Sequence, residues 1–203
     1  MIGGIAAVSA AAAALELDSV QAGQFLFSRP SVAGAIFGIM GGDFLSGVQL
    51  GLCMELLTID QVPVGGYVPP SGVVGAACAF ALHRWAGFDS GYSFLLGFIL
   101  AKLYPFVEIK MRQERSSWNA RLESATETDA SAAGGWVAKA LAQQAALVFV
   151  FVFSGICLAV CAGGAAWLAM PAKIKPAFMT AYRVAPWLGL AALTAALLPR
   201  RGN

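Results

Sequence analysis

Charge is what this 203-residue sequence has least of. Asp, Glu, Lys and Arg together make up 12% of it, about half of the ~25% found in an ordinary soluble domain. Hydrophobic residues reach 59%, and the mean hydropathy is +0.73. A chain so short of charge cannot clothe a water-exposed surface, so it reads as an integral membrane protein built for a lipid bilayer. The net charge of +2 is too small and too scattered to point to a nucleic-acid partner. Cysteines number four. Cys53, Cys78, Cys157 and Cys161 all fall in apolar runs, where a free thiol behaves as a small hydrophobe, which excludes a secreted disulfide framework. Cys157 and Cys161 share a helix face, but no third ligand lies near them for a metal. Neither a metal nor a cofactor is expected. No Ser/His pair, HExxH or GxSxG arrangement supports an intramembrane enzyme. The N-terminal MIGGIAAVSAAAAALEL lacks the positive start of a signal peptide and runs into Glu16 and Asp18 without a clear cleavage site. It reads as a mature, weakly hydrophobic membrane helix.

The apolar runs that are present divide unevenly. About 20 residues are needed to cross ~30 Å of hydrocarbon. Residues 140 to 170 meet that length easily, residues 90 to 107 meet it with Lys102 near one end, and residues 184 to 199 barely meet it. The region from 31 to 82 is different. Asp43 splits its first half into two pieces, each reaching only ~18 Å as helix, and Pro63, Gly65, Gly66, Pro69 and Pro70 break the second half. Short interrupted segments of this kind predict broken or re-entrant helices. The expected fold is an all-α, polytopic helical bundle that contains them. Gly34, Gly38 and Gly42 recur at i+4, as do Gly47 and Gly51, so two helix backbones are predicted to pack closely. Residues 108 to 139 form the one long polar stretch. The chain therefore divides into a membrane region over 1–107, a polar loop over 108–139 and C-terminal membrane helices over 140–203. If residues 140 to 170 and 184 to 199 each cross once, Lys110, Arg112, Arg115, Arg121, Arg200 and Arg201 share one side, against Lys173, Lys175 and Arg183 on the other. The positive-inside rule then makes the polar loop and C-terminus cytoplasmic. FVFVF at 149–153 reads as lipid-facing or packed surface.

Three carboxylates sit inside the apolar 31-to-82 region. Asp43 follows two glycines and Asp60 precedes a proline-rich turn, so helix capping explains each as well as function does. Glu55, in GLCMELLTI, has apolar neighbours on both sides and is read as an inward-facing carboxylate with a partner. Arg29, Gln24 and a polar ligand are the candidates. Accepting hydrogen bonds from adjacent sugar hydroxyls is ordinary carboxylate chemistry, and a proton relay would use the same group.

The run from Leu15 to His83 has several features in fixed order: the GQF…SRP box from Gly23 to Pro30, Gly42 with Asp43, Glu55 twelve residues later, then the pair Gly65 and Gly66 and the double proline Pro69 and Pro70. In this combination the sequence resembles the IIC membrane subunit of the mannose/sorbose-type sugar phosphotransferase systems. The resemblance implies a bacterial plasma-membrane protein that forms a sugar pathway with a second membrane subunit, IID. Soluble IIB and IIA subunits carry the phosphoryl group, and the assembly is oligomeric. It implies a transport subunit with no phosphorylated or catalytic residue of its own, so His83 reads as an interfacial residue beside Arg84 and Trp85. It also implies a sugar-binding core that moves against a fixed scaffold. Carried over by position, Gln24, Arg29, Asp43, Glu55, Asp60, Gly65, Gly66, Pro69, Pro70 and Ser71 would border or shape the sugar site. The family usually follows the double proline with an acidic residue, whereas this chain has Ser71 and Gly72, and Asp60 is the carboxylate proposed to compensate. A non-transporting membrane protein of the same fold, kept for sensing or assembly, is the alternative reading.

Overall fold

The computed structural model of the chain describes residues 1–20, 25–61, 67–118, 123 and 132–198. Among them every regular element is helical. Helix α1 spans Ile2–Val20, α2 Pro30–Gly41, α3 Phe44–Leu57, α4 Gly72–Ala86 and α5 Ser90–Ser116. Helix α6, Ala132–Leu158, continues through a π-helical stretch, Ala159–Gly163, into Gly164–Ala169, and α7 spans Lys175–Leu197. The stretch Gly134–Ala169 is long and apolar enough to cross a membrane by length and composition.

The first half folds as the broken pattern predicts. At 1.5 Å per residue, α2 and α3 reach only about 18 and 21 Å. They form an antiparallel hairpin whose tip is set by two local signals. Gly42 takes a left-handed conformation (φ 70°) that a side chain rarely adopts, and its N–H closes back on the last turn of α2. Asp43 then caps α3 by accepting the Ser46 N–H at 3.2 Å. At the other end Pro30 occupies the first turn of α2, where a missing N–H costs nothing.

Helix α4 is the centre of the bundle. Every residue from Val73 to Leu82 is buried, which requires neighbours on all sides, and α1, α2, α3, α5 and α6 supply them. Its small residues let them close in: a Cβ on Gly97 of α5 would lie 2.6 Å from the Gly75 carbonyl oxygen. Helix α1 joins the core through Ile5, Val8, Ala12 and Ala13 and packs on α4 and α6. Within FVFVF, Val152 is buried, the rings of Phe149 and Phe153 stack at 5.9 Å and Val150 is exposed, so that segment is half packed and half open.

Two boundaries differ from the hydropathy reading. Helix α5 passes through Pro105 and continues to Ser116, and α6 starts at Ala132, so both ends of the polar stretch are helical. Arg115 holds them together by donating to the Ala140 carbonyl at 2.8 Å and to Gln143 and Gln144 at 3.1 and 3.2 Å. Helix α7 begins nine residues earlier than the apolar run from 184. Its first turns are held by aromatic contacts that hydropathy does not register: Phe178 meets Tyr92 edge-on at 5.3 Å, and Tyr182 meets Phe94 at 5.2 Å.

Candidate functional site

Polar residues collect at the two ends of the α2–α3 hairpin, because its shared face has no room for side chains. A Cβ on Gly47 would lie 2.6 Å from the Gly38 Cα and would strike the Gly34 carbonyl, while one on Gly51 would strike the Pro30 carbonyl. The tip is fastened to α4: Arg84 donates from Nε to the Gly41 carbonyl at 2.8 Å, and the His83 Nε2 lies 4.0 Å from the Asp43 carboxylate. Asp43 is thus a capping residue in this structure, as its sequence context allows. His83 bonds through Nδ1 to the Phe88 carbonyl at 2.9 Å, which anchors it at the end of α4.

Glu55 stands at the opposite, open end. Its Oε1 accepts from Arg29 Nη1 at 3.0 Å, and its Oε2 accepts both the Ser31 N–H at 3.1 Å and the Ser31 hydroxyl. The carboxylate therefore caps α2 from across the hairpin, answering the Ser31 N–H, which has no partner within the helix, and sitting at the positive end of its dipole. Of the candidate partners of Glu55, Arg29 is in contact with it. The distance of 24 residues hides its capping role from any local reading. Beside it lies an open depression bordered by Ser28, Arg29, Pro30, Glu55, Thr58 and Gln61. Lys102 of α5 reaches its edge and donates to Gln61 at 3.1 Å. The loop carrying Ser28 and Arg29 is set by Asp18, which accepts the N–H groups of Phe25 at 2.8 Å and Ser28 at 3.2 Å while Leu26 takes a positive φ of 69°.

The remaining candidates separate. Pro69, Pro70 and Ser71 lead into α4 and line a cavity with Glu16, Glu108 and Arg112. Asp60 is exposed in the turn that ends α3. Gln24, Gly65 and Gly66 lie outside the described residues.

A family model described as "PTS system sorbose-specific iic component" matches residues 2–201. The chain belongs to this family. Membership extends through the half after Glu108, where the sequence motifs are silent, and it makes the chain the IIC component of a mannose/sorbose-type phosphotransferase transporter, a membrane transport subunit. A solved structure described only as a membrane protein aligns with a TM-score of 0.78 at 19% identity, covering 98% of this chain and 80% of that one. The cryo-EM structure of the mannose transporter ManYZ in complex with microcin E492 (MceA) aligns with a TM-score of 0.64 at 20% identity, covering 98% and 79%. These two show a shared all-α membrane fold. A comparison with curated proteins finds no significant match.

Three residues that line the cavity at the double proline lie outside the sequence motifs. Ser71 caps α4 by accepting the Val74 N–H at 3.1 Å, and its own hydroxyl donates to Glu16 Oε2 at 2.9 Å. A carboxylate beside the double proline therefore comes from α1, 55 residues away in sequence, and Asp60 is not among the residues that line this cavity. Glu108 and Arg112 reach the same place from α5, one turn apart, with Arg112 Nε donating to Glu108 Oε1 at 3.0 Å. The available signal was negative: Glu16 ends an apolar run on a helix that had no evident use for a charge.

Proposed function

We propose that this IIC subunit forms the translocation pathway for a hexose-type sugar together with a IID partner, and that the sugar is delivered to a IIB subunit, charged by IIA, for phosphorylation. The observation that carries the reading is the open end of the α2–α3 hairpin. There Arg29 and Glu55 offer a guanidinium and a carboxylate beside Thr58 and Gln61 around a depression open to solvent, the mixture of donors and acceptors that sugar hydroxyls require. The chain itself supplies binding groups and no phosphoryl carrier. Helices α5, α6 and α7, of 27 residues or more for the first two and 23 for the third, would cross the bacterial plasma membrane. The hairpin would enter it without crossing, and the polar stretch after α5 would face the cytoplasm, where IIB is soluble.

The test is uptake of labelled hexoses by cells that lack their own carriers and express the chain with its IID and IIB partners. Accumulation of phosphorylated sugar that requires this chain is the expected result. No accumulation across a panel that includes mannose, glucose and sorbose would overturn the reading in favour of a non-transporting role.

A further inference from the structure

Helix α7 meets its neighbours backbone to backbone at two places. A Cβ on Gly91 of α5 would strike Phe178, and one on Gly189 of α7 would strike the Leu56 carbonyl of α3. Between these contacts lie two cavities that meet at Tyr182, which lines both. One, of about 440 Å³, faces α3 and carries Gln49, Ser90 and Arg183 on its walls. The other, of about 270 Å³, faces α5 and is walled by Phe94, Leu95, Phe98, Ala185 and Leu188. The first is rich in donors. Its amide, hydroxyl and guanidinium have no hydrogen bond or ion pair among the described residues, and the acid next to it in sequence, Asp89, is engaged at the start of α5, where it accepts the Gly91 N–H at 3.0 Å.

Depth in the membrane distinguishes the two cavities. The apolar part of α7, from Val184 to Leu197, reaches only about 21 Å as helix, short of the ~30 Å of hydrocarbon. Arg183 is exposed and is drawn to the hydrocarbon edge, where a guanidinium is costly unless it finds water or a phosphate. Helices α5 and α7 run the same way, since Tyr92 meets Phe178 and Phe94 meets Tyr182. Leu188 therefore lies about 7 Å deeper than Arg183, and Phe98 lies deeper than Ser90. An apolar space of this kind stays dry, and its lining forgoes dispersion contacts until something apolar fills it.

We propose that the face formed by α3, α5 and α7 binds one anionic glycerophospholipid of the surrounding bilayer, with its phosphate on Arg183, Gln49 and Ser90 and one acyl chain in the apolar cavity beyond Tyr182. Guanidinium matches phosphate in charge and in planar, bidentate geometry, and basic pockets between membrane helices suit lipid headgroups. A polar cavity alone would take any small phosphate, and an apolar one alone any hydrophobe. Their junction, at the depth where headgroup gives way to chain, selects a molecule that has both. The inference needs only the membrane location of the chain and holds whether or not the pathway carries a sugar.

The test uses the full chain purified with its IID partner, stripped of lipid and incubated with phosphatidylglycerol, phosphatidylcholine or inorganic phosphate. Native mass spectrometry counts the bound lipid, and thermal unfolding reads the gain in stability. The parent should retain phosphatidylglycerol in preference to phosphatidylcholine, and its midpoint should rise with phosphatidylglycerol but not with phosphate. Arg183→Gln removes the charge-assisted bonds, so affinity for phosphatidylglycerol should fall about tenfold while that for phosphatidylcholine changes by about twofold or less. Ala181→Trp, at an exposed position on the apolar wall, should weaken both lipids together and is the second reading if Arg183→Gln does not fold. Lys173→Gln, an exposed cation outside both cavities, should behave as the parent does, which separates a local site from the loss of one positive charge. A parent without lipid preference, or undiminished preference in Arg183→Gln, overturns the site. So does a midpoint raised equally by phosphate, which would make it a free-anion site, and so does loss of IID from the Arg183→Gln complex, which would assign this face to the partner subunit.

Discussion

Glu55→Gln separates the structural role of this carboxylate from its role toward ligand. In the parent, Oε2 accepts two bonds from Ser31 and Oε1 accepts one from Arg29. The amide that replaces it has one oxygen and one NH₂, and all three partners are donors, so one side must mismatch. The favourable orientation keeps the oxygen on Ser31 and turns the NH₂ toward Arg29, because the Arg29 side chain is 57% exposed and can swing into water. Losing an exposed ion pair costs about 0 to 1 kcal/mol. The two bonds to Ser31 survive as neutral ones, each weaker by several tenths to ~1 kcal/mol, and the negative charge at the α2 N-terminus, worth roughly 0.3 to 1 kcal/mol, disappears. With overlap between these terms, the sum is about 1 to 2 kcal/mol, or roughly 3 to 6 °C in thermal midpoint for a chain of this size. Thermal unfolding of the purified variant measures it, and a cycle with Ser31→Ala apportions it: the double variant should cost less than the two singles added, because the hydroxyl bond that Ser31→Ala removes is one that Glu55→Gln has already weakened. Additive losses, or a midpoint within about 1 °C of the parent, would refute the capping role. Sugar affinity measured on the same samples should fall about tenfold if the carboxylate also contacts ligand.

Other substitutions test the surrounding architecture. Gly47→Ala places a methyl 2.6 Å from the Gly38 backbone, which cannot step aside as a side chain could, so destabilisation of about 3 kcal/mol or more is expected in chemical unfolding; Gly3→Ala, with nothing within 4 Å, is the neutral control. Asp43→Ala should lose about 1 kcal/mol of stability and Asp43→Asn much less, since Asn caps as well as Asp, and an equal loss from both would mean that the His83 contact dominates. Tyr92→Phe leaves the Gly163 carbonyl, bonded at 2.9 Å in the π-helical stretch of α6, without its donor, and melting should fall by an amount equivalent to about 1 to 2 kcal/mol. A single cysteine at Lys110, in a background without the four native ones, should resist an impermeant reagent added outside intact cells, and labelling there would reverse the assigned topology.

The hairpin was legible because its causes are local: one acid between two short apolar pieces and glycines at a helical repeat are enough to specify two helices in close contact. Arg29 was legible as one of three candidate partners of Glu55, with Gln24 and a polar ligand, and the structure pairs it with the carboxylate. What escaped was set by chain segments far apart. Glu16 looked like the end of a weak helix, and nothing near it in sequence says that Ser71 will arrive beside it. The helical extension of α5 into the polar stretch was hidden by Pro105 and by charges that hydropathy counts as breaks, although Glu108 and Arg112 pair along the helix. The early start of α7 was hidden likewise, because its first turns are held by rings on α5 and α6 and not by their own apolarity.

The absence of side chains along the hairpin seam has a mechanical consequence. Helices that meet through glycine backbone have no rotamers to exchange and no soft contact to shear, so the pair is stiff. Its polar attachment near the tip, the Arg84 bond to Gly41 beside the His83 contact to Asp43, would serve as the pivot of a rigid movement of the pair. Glu55 lies twelve residues along α3, or about 18 Å from that pivot. A swing of only about 10° there would carry the carboxylate through roughly 3 Å, the reach of one hydrogen bond, with every bond inside the hairpin intact.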